Sequence, residues 1–183
     1  NLIDESGILP EQIQQVNLSS TLATNSVVEK RGARVGLIVI GYVKHFKLPV
    51  QAVVFVKGGH NIKGEEEQPL EIEYLVDIVN GLKNEVDAFG VCGAMSMKNS
   101  DHEKVAEKAI SMIAAKPVFC SHTISQQAGM EQRAATAGLH AKLMPVMEEF
   151  VAGVSHAMEG KGLHCPMFII SGNGKLVEKQ YAV

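Results

Sequence analysis

Apolar residues along this chain fall into two alternating rhythms. Arg34 to Ile40 (RVGLIVI) and Gln51 to Lys57 (QAVVFVK) are short continuous apolar runs rich in β-branched residues. That pattern predicts strands covered on both faces. Val86 to Ala94 and Pro166 to Ser171 read the same way, and Val16 to Ser20 and Val118 to Cys120 read as shorter strands. Between them the apolar positions recur at three and four. Ile72, Leu75, Val76, Ile78, Val79 and Leu82 do so within Glu71 to Lys83, and Val105, Ala109, Met112 and Ile113 within Asp101 to Ala115. Both stretches predict amphipathic helices. Asn25 to Arg31 predicts a short helix with Asn25 or Ser26 as its N-cap and Gly32 as its stop. A long helical region, from about Gln127 to Glu159, is expected to break or kink near Gly138 or Pro145. Strands alternating with helices predict an α/β fold, with a mostly parallel sheet and helices on both faces.

Composition narrows this picture. The chain has 183 residues, 46% hydrophobic and 20% charged, with a formal net charge of -3. A single α/β domain, 1–183, is the default, because a chain this long removes about 70% of its unfolded surface from water without disulfides or a structural metal. The slightly acidic balance and the lack of a basic run argue against nucleic acid as a partner. No apolar stretch approaches the roughly 20 residues that span a bilayer, and no signal-peptide pattern is visible. Three cysteines, Cys92, Cys120 and Cys165, cannot all pair, so a reducing, cytoplasmic setting with buried thiols is expected. The chain opens on Asn1 in a helix-like pattern and closes after a strand-like one, so both ends read as cut.

In open parallel sheets ligands bind beyond the carboxyl ends of the strands. Four polar stretches follow apolar runs: Thr21 to Asn25, Gly58 to Asn61, Ser121 to Ser125 and Ser171 to Gly174. Each has a plain structural reading beside the functional one. Thr24, Asn25 and Ser26 suit a helix cap, Gly58 and Gly59 suit turn chemistry, and Asn173-Gly174 is a hairpin signal. His102 reads as a solvated residue at a helix start, and Arg133 as a surface residue paired with Glu131 or another acid. No metal-ligand spacing is present, so no metal is expected, although a module built from His60, Cys120 and His122 stays open. Nucleotide-binding and nucleophile-elbow fingerprints are absent from the sequence.

One run carries more. Ser20 to Val35 (STLATNSVVEKRGARV) resembles the T-T-x-A-T-N-x-x-x-E-R-x-G-A-R-V segment of the hydantoinase/oxoprolinase family. Further stretches follow in the family's order. Lys57-Gly58-Gly59-His60 resembles R-G-G-H, Asn99 to Glu103 resembles N-P-x-H-E, and Ser121 to Ile124 resembles S-H-E-I. Arg133 with Leu139, Leu143 and Pro145 resembles the family's E-R-x-x-T-x-L-N-A-x-L-x-P helix, and Ser171 to Leu176 its Q-S-N-G-G-L turn. The resemblance implies an actin-like, ribonuclease H-like ATPase architecture. It also implies a parent enzyme that opens cyclic amides of the hydantoin or 5-oxoproline type at the expense of ATP with Mg2+. The family's phosphate loops would lie outside this chain, which makes it a fragment, inactive alone and binding no cofactor. Its partners would be the cyclic amide, the rest of the parent chain and a second enzyme subunit. Arg133 would stabilise developing charge as the catalytic residue. Thr21, Thr24, Asn25, Gly58, Gly59, His60, Asn173 and Gly174 would lie near the substrate or nucleotide cleft. Gln132 and His140 stand where the family has Glu and Asn, which keeps two alternatives open: a non-catalytic interaction domain and a carboxylase-type paralogue.

Overall fold

Val35 to Ile40 are buried without exception, as a strand sandwiched between helices must be. The computed structural model describes residues 5–41, 45–124, 129–170 and 175–178. In chain order the elements are β1 (Val16–Leu18), α1 (Leu22–Val28), β2 (Val35–Ile40), β3 (Ala52–Val56), β4 (Gly59–His60), β5 (Glu66–Gln68) and α2 (Ile72–Leu82). They continue with β6 (Ala88–Gly93), α3 (Asp101–Ala114), β7 (Val118–Cys120), α4 (Met130–Gly160), β8 (Met167–Ile170) and β9 (Leu176–Glu178). Single 3-10 turns lie at Pro10–Gln12 and Ser121–Thr123.

The chain divides into two compact units: Gly32–Pro145, and Asn1–Arg31 together with Val146–Val183. In the first, β3, β2, β6 and β7 form an all-parallel sheet in that order, with Val35 opposite Ala88 and Gly36 opposite Ala52. The period of two sends alternate side chains to opposite faces. Ile38, Ile40 and Val91 pack with Leu75 and Val79 of α2 and Ala106 and Ile110 of α3. Leu37, Val39 and Cys92 pack with Ala134 and Ala137 of α4. A Cβ on Gly90 would come within 2.9 Å of Leu37 and 3.3 Å of the Ala137 carbonyl, so that glycine permits the close approach of α4 to the sheet. The α/β class with a parallel sheet and helices on both faces is therefore what the chain adopts.

In the second unit β1 pairs parallel with β8, and β9 pairs antiparallel with β8. Its core joins Val151, Met158, Leu163, Met167 and Ile169 to Ile13, Val16 and Leu18. Among the described residues no helix is long and apolar enough to cross a membrane.

Two sequence expectations shift. The short helix begins at Leu22 rather than Asn25, because the Thr21 carbonyl already accepts the Asn25 N–H at 2.8 Å and Ser20 Oγ accepts the Leu22 N–H at 3.0 Å. The long helix runs unbroken from Met130 to Gly160 with Pro145 inside it. A proline costs its own N–H and crowds the preceding turn, yet packing along the helix outweighs that local penalty. The glycine pair leads into a short two-stranded ribbon, with β5 pairing antiparallel to β4.

Candidate functional site

Four elements of the Gly32–Pro145 unit meet at the carboxyl edge of its parallel sheet: the end of β6, the 3-10 turn after β7, and the first turns of α3 and α4. At their centre is Glu103, in the first turn of α3 and wholly buried. Its Oε1 accepts from the Gly93 N–H and the Ser121 hydroxyl, both at 2.6 Å. Its Oε2 accepts from the His122 N–H at 3.0 Å and from His122 Nδ1 at 2.6 Å. Four donors converge on two oxygens, which is the complement of an ionised carboxylate.

The balancing charge is Arg133, 1% exposed. Its Nη1 donates to Ser96 Oγ at 2.6 Å and Ser121 Oγ at 3.1 Å, and its Nη2 donates to the Gly93 carbonyl at 2.8 Å. The Ser121 hydroxyl thus accepts from the guanidinium and donates to the carboxylate. Ser96 Oγ lies 3.3 Å from it and completes the network. Arg133 Nε is buried without a hydrogen-bond partner among the described residues. A buried guanidinium bound this way cannot be the surface residue paired with Glu131 that helix position alone suggests.

His102 stands next to Glu103 and is also buried, against the expectation of a solvated helix-start residue. Its Nδ1 accepts the Gly59 N–H at 3.0 Å, so its Nε2 carries the proton donated to Glu66 Oε1 at 2.9 Å. Gly58 and Gly59 have φ of 146° and 122°, and a Cβ on Gly58 would meet Ile40 at 2.9 Å and His102 Nδ1 at 3.3 Å. The glycine pair is thus required by the neighbouring side chains. His60 follows it, its ring 4.3 Å from that of His102. Burial, then the neighbouring His102, pushes the His60 imidazole below its ordinary range.

Two buried thiols border the network. Burial pushes Cys92 up to about 11 and raises Cys120 as well, so both stay protonated. Cys120 Sγ lies 3.8 Å from the Glu103 carbonyl. Glu103, Cys120 and His122 each offer a ligand atom within 4.8 Å of the others. The imagined trio of His60, Cys120 and His122 therefore has a different third member, since His60 packs on His102 instead.

The sequence profile of the hydantoinase/oxoprolinase N-terminal region matches residues 1–114. The chain belongs to the hydantoinase/oxoprolinase family. Two solved structures share the fold of nearly the whole chain. The ATP-dependent caprolactamase from Pseudomonas jessenii is 22% identical with a TM-score of 0.77, covering 97% of this chain and 30% of its own. Acetone carboxylase, described in the context of ATP-dependent acetone carboxylation and solved nucleotide-free, is 19% identical with a TM-score of 0.78, covering 98% and 31%. The chain thus spans about a third of the length of these enzymes. No curated protein matches it significantly.

The residues singled out on the hydantoinase/oxoprolinase resemblance fall in different places. Arg133 enters the buried network, and Gly58, Gly59 and His60 abut it through His102, the neighbour of Glu103. Thr21, Thr24 and Asn25 belong to the other unit, where Thr21 stands at the N-cap position of α1 without a side-chain cap hydrogen bond, Thr24 and Asn25 lie within the helix, and Asn25 Nδ2 donates to Thr21 Oγ1 at 3.3 Å. Asn173 and Gly174 lie outside the described residues. Sequence reasoning missed Ser96 and Glu103 as site residues, and it placed Ser121 and His122 in a polar stretch after a strand, with His122 in a possible metal module, without assigning either to the cleft. The signal was present for three of the four, since Glu103, Ser121 and His122 stand in stretches that match family motifs. Ser96 had none.

Proposed function

We propose that this chain is the N-terminal region of an ATP-dependent enzyme that opens cyclic amides of the hydantoin or 5-oxoproline type, with Mg2+ accompanying the nucleotide. The observation that carries the reading is the buried Glu103–Ser121–Arg133 network at the carboxyl edge of a parallel sheet, where α/β enzymes place their chemistry. Buried charge is expensive, and a fold has little reason to enclose a carboxylate and a guanidinium among helix starts unless their placement is used.

The glycine turn does not fit the phosphates of ATP. A phosphate cradle needs free backbone N–H groups. The Gly59 N–H is taken by His102 Nδ1 and the Asn61 N–H by the Glu65 carbonyl. Nucleotide binding then falls to the remainder of the parent protein, and this chain by itself neither binds ATP tightly nor hydrolyses it. Its own residues hold charge and protons. Arg133 keeps the Ser96 and Ser121 hydroxyls and the Gly93 carbonyl in fixed positions around Glu103, and Glu103 fixes His122. Among the described residues Arg133 has one N–H without a partner, at Nε, and substrate-side oxyanion stabilisation by Arg133 would come from that group.

The test is phosphate release by the full-length parent with ATP, Mg2+ and a panel of hydantoin, 5-oxoproline and caprolactam. Stimulation by a cyclic amide with appearance of the ring-opened acid is the expected result. Stimulation only by a ketone with bicarbonate would move the assignment to the carboxylase-type reaction, which the fold shared with acetone carboxylase favours as the second reading. No stimulation by any of these would leave a non-catalytic interaction domain.

A further inference from the structure

His122 stands apart from the other members of the network in one respect. Glu103 and Ser121 are fully buried and Arg133 nearly so, whereas the His122 side chain keeps 19% of its surface exposed. Its Nδ1 lies 2.6 Å from Glu103 Oε2, and among the described residues nothing is hydrogen-bonded to its Nε2.

The protonation pattern follows from counting donors. Glu103 accepts from Gly93, Ser121 and the His122 backbone, and Arg133 lies one hydroxyl away. The first three of these contacts place a donor on a carboxylate oxygen, and none of them asks the carboxylate to donate. An ionised carboxylate can only accept, so the proton of the fourth contact sits on Nδ1 of the ring. Neutral imidazole has one such proton, which leaves the lone pair on Nε2, the nitrogen with no partner among the described residues. A buried acid that fixes the tautomer of a more exposed histidine is the arrangement general-base catalysis needs.

We propose that Glu103 and His122 form a proton-transfer dyad in which Nε2 of His122 is the base of this site and Glu103 its positioning residue. The proposal rests on the ring-opening reading. In that reaction the phosphoryl group of ATP stands on the amide oxygen, leaving a carbon–nitrogen double bond. An O–H bond of water breaks and its proton goes to Nε2 as the oxygen bonds to the ring carbon and the π pair moves onto nitrogen. The carbon–nitrogen bond then breaks as the nitrogen takes the proton from Nε2 and that of the new hydroxyl, which returns His122 to its starting state and leaves an acyl phosphate from which a second water releases phosphate.

The competing use of the same atoms is a metal ion held by Glu103, Cys120 and His122. The two are exclusive, because a metal on Nδ1 displaces the proton that defines the dyad. The Cys120 thiol, protonated in its apolar surroundings, would also have to ionise next to a carboxylate already saturated with donors.

Two measurements test the proposal. The first uses the 183-residue chain labelled with 15N-histidine, with long-range 1H–15N correlations reporting which ring nitrogen is protonated and His122→Gln identifying the signals. The expected result is Nδ1–H with unprotonated Nε2. An Nε2–H tautomer, or stoichiometric zinc or manganese in the purified chain that is lost in His122→Gln, overturns the dyad. The second uses the full-length enzyme on a cyclic amide that the wild type opens. His122→Gln should lower kcat about 100-fold or more with KM little changed, and His122→Ala should recover part of the loss with added imidazole. A His122→Gln enzyme within about three-fold of wild type overturns the base role, since base catalysis contributes far more than that. If the wild type opens no cyclic amide, the ring-opening reading fails, and the tautomer and metal measurements still decide the dyad.

Discussion

Glu103 has zero relative exposure, and its carboxyl group is held by donors contributed from 10 to 19 residues away along the chain. Glu103→Gln keeps the volume and removes the charge. The amide then presents its own donors to groups that are donors themselves, and Arg133 is left buried without its counter-charge. Breaking a buried pair from one side costs about 3–5 kcal/mol, so the denaturant midpoint of the variant should fall by an amount corresponding to that range. A loss below about 1 kcal/mol would show that Glu103 is protonated or water-screened, because only an exposed pair is that weak. The identity of this residue as a site member was invisible to periodicity. An acid in the first helical turn ordinarily faces water and complements the helix dipole, and Asp101 two positions earlier does lie exposed. What distinguishes Glu103 is its partners on β6 and after β7, which local pattern cannot bring together. Arg133 was misread as a surface residue for the same reason: its four described acceptors, the hydroxyls of Ser96 and Ser121, the Gly93 carbonyl and the Met130 sulfur, are mostly distant in sequence.

Elements were more legible than residues. The parallel strands and the helices α2 and α3 were readable within two residues at each end, because a fully buried strand and an amphipathic helix each leave a periodicity that tertiary context reinforces. Errors arose where a local signal competed with packing. Asn25 and Ser26 are good caps, but the chain turns helical three residues earlier, and Pro145 is a good breaker that α4 absorbs. One junction between elements is electrostatic. Arg34 and Asp87 precede β2 and β6, and Asp87 accepts from the Arg34 N–H at 2.9 Å and from its guanidinium at 3.0 and 2.8 Å. Those hydrogen bonds, the guanidinium's first, hold the Asp87 carboxyl well below its ordinary 3.8, at about 2. A carboxyl with a depressed folded-state pKa stabilises the fold above its ordinary pKa, and that contribution fades as pH falls through the depressed value. Asp87→Asn should therefore be slightly less stable than wild type near neutral pH, with the gap closing as pH falls from about 5 to about 2. The pair is roughly half exposed, so the gap is small and shrinks with added salt. Urea titrations across that pH range that show a constant gap would assign the cost to the lost backbone contact alone.

At the scale of the whole chain the two units have separate cores. Every residue of the three clusters around the parallel sheet lies within Gly32–Pro145, and every residue of the fourth lies within the other unit. Burial of apolar surface is the main favourable term in folding, and it scales with contacts that a unit keeps when excised. The cut at Pro145 is also mild for α4. Proline donates no N–H, so the helix already lacks one ladder hydrogen bond at the point of division, and the residues of α4 that pack on the sheet, Ala134, Ala137 and Ala141, are all retained. Residues 32–145 expressed alone are thus expected to fold cooperatively. They should show dispersed amide resonances and slow hydrogen exchange along Val35–Ile40 and Ala88–Gly93, the strands paired on both sides. The same piece should keep the His122 ring in the state it has in the full chain, since Glu103, Ser121 and Arg133 all travel with it. Helical circular dichroism without dispersed resonances would mean that the parallel sheet gains its fixed packing only with the other unit present, and the 183 residues would then be one folding unit rather than two.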